Sequence, residues 1–466
     1  MAYMPIPPAP REPDEAARWQ HTRQRRSMLY GAWRSLLEGR VRRAVGTQRA
    51  EAWGDVDLSS NVFLQVCSQL SVLYDRPVTV SHDEDPSAAE MLRGILTRAG
   101  YEPVMQIVQR DTIGLREMVV RVDAVQRDGM APALTLRRIP PDYVEAWADA
   151  ATPGQPYKVC ETRLVWLGES WHWVREIVEV RDGVGRWVVE DDKGADVTAE
   201  VLGEAAGSFP WVAPDGRPVM PYVIFHAAWP HEVWDAWAGE ELVEGTLQAA
   251  VAWTLAHHAL MQASWPQRYA VGLTVPADMP GDSEDVRPRQ EVVADPATVI
   301  MFQPTEDSNT STVGQFQPGA DPQAMFAAVE SYERRVATAS GLSASDFVRT
   351  SGDPRSGYAL GISRAGKREA SNRYAPIFQA SDVVLMGAVA AAWNGAGGDP
   401  LPVDGYAVEY AVLPLSPDEE REHRETVFAL LDRGLITRER AAEMLGERAA
   451  PETPAAAPPQ PGGMDE

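Results

Sequence analysis

The chain has 466 residues, with 43 Lys and Arg against 67 Asp and Glu, a formal charge of −24, and two cysteines. That length supports two or three domains and a core that needs no disulfide staples, and Cys67 and Cys160 follow no CxxC or zinc-ligand spacing, so both are expected reduced and buried. The excess of negative charge makes the molecule as a whole repel a polyanion, so any dealing with DNA is expected to be local or non-adhesive.

Residues 1–26 are rich in proline and charge, have no apolar h-region, and end in the basic cluster Arg23, Arg25, Arg26; they read as a flexible, solvated arm. From about 27 to 110 apolar residues recur at three- and four-residue intervals, as in RSMLYGAWRSLLEGRV and SSNVFLQVCSQLSVLYDRP, which predicts helices, the second stopping before Pro77. Between about 115 and 225 the period changes to two. LREMVVRVDAV, ALTLRRI, YKVCETRLVWLG, WHWVREIVEV and RWVVEDD are separated by DG, GES and DGVG turns, which predicts an antiparallel meander. No Arg or Lys separates Trp166, Trp171 and Trp173, and sheet packing rather than base stacking is expected of these three and of Trp187.

A helix is predicted over 238–264, opening with Glu240, Glu241 and Glu244 and containing no Lys or Arg. Acid suits the positive end of the helix dipole, but with no cation of its own one side of a rod ~40 Å long is left negative. Residues 266–319 lose helical periodicity and, after Pro266, carry six further prolines between short strands such as TVIMFQ, which reads as a strand-and-loop insertion. A second helix over 321–340 leads to GLSASDFVRTSGDPRSG, dense in Gly, Ser, Asp and Pro. From Tyr358 to Asn394 the pattern is helical again for roughly 37 residues, about 55 Å, with bends expected at Gly366 and Pro376. The strand YAVEYAVLP and a helical hairpin at 417–446 follow, with a turn near Gly434 and Thr437 as a cap. PETPAAAPPQPGGMDE is disordered by composition. The apolar runs 247–261 and 383–393 both fall short of the ~20 residues of a spanning helix.

Three motifs invite a catalytic reading. GISRAGKR, at 361–368, has the glycine and lysine spacing of a phosphate loop, but Arg368 stands where a magnesium-binding hydroxyl belongs and no buried strand precedes it. HEVWD, at 231–235, imitates half of a zinc hydrolase motif, with Asp235 in place of the second histidine. His257 and His258 are adjacent, so on a helix they diverge by about 100°. A P-loop or metal-dependent hydrolase is therefore the weaker alternative, and no catalytic residue, metal or cofactor is expected. One charge feature stands apart: between Gly341 and Phe378, six basic residues (Arg349, Arg355, Arg364, Lys367, Arg368, Arg373) outnumber three acidic ones. It reads either as a solvated helix face with ion pairs or as a loop placed to meet phosphate.

The order of these parts resembles the portal proteins of tailed bacteriophages, the head-to-tail connector family. The likeness is carried by GEELVEGTLQAAVAWTLAHHALMQASWPQRYAVGL, by ADPATVIMFQPTEDSNTSTVGQFQPGADPQAMFAAVESYERRVATASGLSASDF and by SGYALGISRAGKREASNRYAPIFQASDVVLM, as pattern rather than invariant signature. It implies an α+β subunit with a mixed wing domain, a two-helix stem, a small α/β clip, a long bent helix and a helical crown. Mapped onto this chain, that is an arm at 1–26, wing at 27–237, stem helices at 238–265 and 320–342, and clip at 266–319. A tunnel loop at 343–357, the rest of the wing at 358–414, a crown at 415–447 and a tail at 448–466 complete it.

The resemblance also implies a homo-oligomeric ring, usually of twelve copies, at one capsid vertex. Through it double-stranded DNA is packaged and ejected, and onto it dock the terminase motor and the capsid, scaffold and neck or adaptor proteins. The expected location is the virion, with assembly in the host cytoplasm and no membrane partner. Arg349, Arg355, Arg364, Lys367 and Arg368 would then face DNA, and Glu240, Glu241 and Glu244 would make the stem acidic. A scaffold or connector protein without a DNA channel is the remaining alternative. A long C-terminal barrel like that of larger members is not expected from these residues, which puts an internal DNA-spooling role in doubt.

Overall fold

Short polar caps and glycines set the limits of the N-terminal helices. The computed structural model describes residues 5–11, 13–127, 130–264, 268–271, 299–302, 312–315, 321–342, 357–411 and 417–445. It opens with α1 (Pro13–Leu29), α2 (Arg34–Val45), α3 (Thr47–Trp53) and α4 (Val62–Leu70). Asn61 caps α4 by accepting the Leu64 N–H at 3.0 Å. After the short strand β1 (Thr79–His82), Asp85 and Pro86 start α5 (Pro86–Ala99), and Gly100, at φ 69°, turns the chain into α6 (Tyr101–Leu115). These are the residues that such positions favour: an acceptor at the cap, proline in the first turn, glycine in the left-handed region.

The N-terminal arm is a correction to the sequence reading. Residues 13–26 are not a solvated tail but most of α1, with Trp19, Arg25 and Met28 buried. Arg25 donates to the carbonyls of Gly114 (3.2 Å) and Ala238 (2.6 Å), and Arg26 lies 2.9 Å from the buried Asp142. Arginine stems supply the apolar contact that the charge-rich sequence conceals.

The region of period two forms two sheets rather than one meander. Strands β2 (Glu117–Arg127) and β3 (Met130–Ile139) pair with each other, β4 (Val144–Ala148), β5 (Pro156–Leu167), β6 (Ser170–Arg181) and β7 (Val184–Asp191) form the meander, and α7 (Thr198–Leu202) follows. β8 (Tyr222–His226) then returns to the free edge of β2, giving the order β3-β2-β8. Asp182 and Gly183, at φ 53° and 76°, form the tight turn between β6 and β7 that right-twisted strands require.

A buried ionic cluster joins the two sheets. Glu161 and Glu176 stand directly opposite each other on β5 and β6. Arg121 of β2 reaches both, at 3.3 Å and 2.6 Å, and donates to the Tyr222 hydroxyl at 2.6 Å. Arg137 and Arg163 complete the neutralisation of the two carboxylates.

The later elements are α8 (Glu240–Ser264), β9 (Arg268–Val271), β10 (Val299–Phe302), β11 (Thr312–Gln315), α9 (Pro322–Ala339), α10 (Gly357–Gly395), β12 (Tyr406–Glu409), α11 (Pro417–Asp432) and α12 (Arg438–Met444). β9 is central to a small sheet, parallel to β10 and antiparallel to β11, and β12 pairs with β1. The protein is thus α+β, with several small sheets and one helix of 39 residues. It divides into two compact units, residues 1–349 with 366–411, and residues 350–365 with 412–466.

In the first unit the stretch Gly366–Gly395 of α10 is long and apolar enough to cross a bilayer, unlike the shorter run read from sequence. More than half of its most apolar window is buried, however, and Phe378, Leu385, Met386 and Val389 belong to the core. Asp382 fastens it there, accepting from the hydroxyls of Tyr74 (2.7 Å), Tyr101 (2.9 Å) and Tyr410. The second unit contains the hairpin of α11 and α12, where Gly434 makes the turn at φ 70° and Thr437 Oγ1 accepts the Arg440 N–H at 3.2 Å.

Candidate functional site

Helices α8 and α9 lie antiparallel and in close contact. Gly245 faces Val336 so closely that a Cβ on it would come within 2.8 Å of a valine methyl, while farther along α8 Trp253 stacks on Phe326 with ring centroids 5.4 Å apart. Glu333, buried between the helices, accepts from Trp253 Nε1 at 2.6 Å and from the Ser60 hydroxyl. That carboxylate therefore ties α9 both to α8 and to the loop before α4. Ser60, Trp253 and Glu333 are far apart in sequence, and no local signal marks them as partners.

The acidic opening of α8 is only partly unopposed, which corrects the expectation of a helix without a compensating cation. Arg40 of α2 donates to Glu244, and His21 Nε2 of α1 lies 3.3 Å from Glu240 Oε1. Burial lowers the His21 pKa, so the latter contact is a hydrogen bond to a neutral ring more than an ion pair. Glu240 and Glu241 remain exposed. Farther along, His257 Nδ1 lies 2.7 Å from Asp57 Oδ2 and His258 stacks on Trp53 at 4.4 Å, so the adjacent histidines point to different neighbours.

The basic cluster divides. Arg349 and Arg355 lie outside the described residues, as does the side chain of Arg364, whose backbone is in α10. Lys367 and Arg368 are half-buried on α10, and Arg373 is exposed, lying against Gly341 just after α9 and 3.9 Å from Glu369. The backbone of GISRAGKR is continuous helix within α10, as are residues 357–360 directly before it, so its amides are spent on helical hydrogen bonds and do not form a phosphate cradle. HEVWD is an irregular segment before α8. His231 is exposed, while Asp235 receives Arg116 at 3.3 Å and donates its backbone N–H to the buried Glu117. Among the described residues no group of three or more metal-ligating side chains comes together.

Two of the four tryptophans expected in sheet packing depart from it. Trp173 and Trp187 are half-buried, Trp187 donating to Glu176 at 2.7 Å, but Trp166 and Trp171 stand in solvent. Both occupy the outer end of a hairpin, where no element among the described residues covers them, which alternation along a strand does not reveal.

No family model and no curated protein matches the chain. Among solved structures it is similar to a chain of the virion of a native gene transfer agent particle, with a TM-score of 0.42 and 10% identity over 83% of this chain and 90% of that one. It is also similar to a chain of the neck of an empty gene transfer agent particle, with a TM-score of 0.40 and 12% identity over 89% and 94%. Similarity at this level identifies neither a family nor a role.

Proposed function

We propose that this chain is one subunit of a portal ring, the conduit through which double-stranded DNA enters and leaves a tailed-phage-type capsid. The observation that carries the reading is the helix pair. α8 and α9 run antiparallel in contact, the chain between them contains the three short strands of a separate sheet, and α8 contains acid and no Lys or Arg. This is the arrangement expected of a stem with a clip at its end.

The charge balance suits the task. Twelve copies at −24 would total about −288, so a duplex with one charge per ~1.7 Å meets a wall that repels more than it grips. Screening confines such forces to roughly 8 Å at physiological salt, so a few cations at 349–368 can touch phosphate while the bore stays slippery. In this reading the chain has no catalytic role. Nucleotide hydrolysis belongs to a packaging motor docked on the clip, and neck proteins take the motor's place later.

The test is electron microscopy of the purified protein joined to a packaging assay. Closed rings with an axial channel are expected, and Arg349→Glu with Arg355→Glu should leave ring assembly intact while lowering DNA packaging at least tenfold. Particles that remain monomeric or dimeric under assembly conditions would overturn the reading, and rings that package normally with both substitutions would remove the DNA-facing role of the loop.

A further inference from the structure

Two features of the first unit have no part in the fold or in the reading above. At the tip of the β5–β6 hairpin, the two-residue turn Gly168–Glu169 sets Trp166 directly opposite Trp171. Their rings meet edge to face at 5.4 Å, and they are 56% and 62% exposed. Strand pairing holds both backbones, and each ring has only two torsions to lose, so the pair can bind at low entropic cost. The sheet does not need them: its outer end is held from inside by Val165, Val174 and Val189.

The other feature is a cleft of ≈ 670 Å³ at the opposite end of the same strands. Tyr157 at the start of β5, Val180 at the end of β6, Ile224 of β8 and Ala380 of α10 give it apolar walls, and Trp229 stands at its rim, 67% exposed. Two buried polar atoms among its lining residues have no partner, His226 Nε2 and the Tyr406 hydroxyl. Burial holds the His226 pKa down to about 4, so the ring is neutral and its Nε2 can accept a hydrogen bond. Gly154 leaves that nitrogen approachable, since a Cβ there would lie 3.8 Å from it and 3.1 Å from Pro230 Cγ. An indole N–H, which donates and cannot accept, on a large apolar ring is the complement of such a cleft.

From Tyr157 to Trp166 the strand advances nine residues, roughly 30 Å, so the tryptophan pair cannot reach the cleft of its own chain. We infer that the Trp166–Trp171 knob of one copy docks in the Tyr157–His226–Ala380 cleft of the next, a head-to-tail contact between copies of this chain. Joining two different surfaces, it is a heterologous contact, which closes into a ring where the rotation permits and otherwise propagates as an open chain. With 56% and 62% of their surface exposed, the two indoles can bury roughly 200–300 Å² on docking, less than the ~800 Å² per partner of a stable interface, so the knob is the anchor of a larger contact. The contact goes beyond the conduit reading, which needs a ring but names no interface.

The test uses the full chain. Sedimentation should show Trp166→Ala/Trp171→Ala and the cleft-filling Ala380→Trp each requiring at least tenfold more protein than wild type for half-assembly; all three positions are exposed, so folding is unaffected. Independently, Glu169→Cys protein mixed with Thr152→Cys protein should give a covalent dimer with a short thiol cross-linker that neither gives alone, the native Cys67 and Cys160 being buried. Variants that assemble at the wild-type concentration, or a mixture that yields no dimer, overturn the contact. Rings that form without the cross-link leave the conduit reading standing and remove this contact, and cross-linked open chains without rings do the reverse.

Discussion

Arg121 is the residue on which the joining of the two sheets depends most. Glu161 and Glu176 are opposite neighbours on paired strands, an arrangement that like charges disfavour, and Arg121 spans them from the other sheet. Arg121→Met should cost about 3–5 kcal/mol in urea unfolding, because it leaves buried carboxylates short of a counter-charge. Arg121 and Arg163 hold Glu176 down to about 2 against the burial that would raise it. Its stabilising share is therefore present above its unfolded pKa near 4.5 and is lost as the pH falls through about 2.

Glu117 has the opposite sign. Burial raises it to about 7, so the stability associated with its protonated form is full below about 4.5 and is lost as the pH rises through 7. Glu117→Gln should remove that slope, and the variant should gain on the order of 3 kcal/mol relative to wild type between pH 4.5 and 7.5, read from urea midpoints across pH. Neither carboxylate could be singled out among 67 acidic residues, because what distinguishes them is burial and a partner supplied from elsewhere in the chain.

At the scale of elements, the contact between α8 and α9 turns on one missing side chain. Gly245→Val should force the helices apart at Val336 and cost about 1–3 kcal/mol, and Val336→Ala in the same chain should recover most of the loss, as thermal unfolding of the single and double variants would show. The extent of these helices was legible. The reading of 238–264, 321–340 and 358–394 compares with Glu240–Ser264, Pro322–Ala339 and Gly357–Gly395, because three-to-four periodicity and terminal Pro, Gly and Asp act within a few residues. α1 was missed for a physical reason. Its buried face is built from Trp19, Arg25 and Met28 within a run of Arg and Gln, so composition pointed to solvent while arginine stems and their partner carbonyls made a packed helix. The splitting of the strand region into two sheets was hidden as well, since it depends on β8 pairing with β2 across roughly a hundred residues.

For the whole molecule, net charge and its distribution make different predictions. At −24 per chain, gel-shift measurements at 150 mM salt should detect no stable complex with random duplex DNA, and any retention seen at low salt should fall steeply as salt rises. A complex that persists at physiological salt would contradict the proposed conduit function. The sequence by itself determined the overall charge, the succession of helical and strand segments, and the incompleteness of the phosphate-loop and zinc-ligand motifs, because each depends on residues adjacent in the chain. Only the tertiary structure decided which charges are cancelled and which aromatic rings are left uncovered. Arg40 meets Glu244, Glu333 meets Trp253 and Ser60, and Trp166 is left exposed, because folding brings together groups whose separation along the chain holds no information about their separation in space.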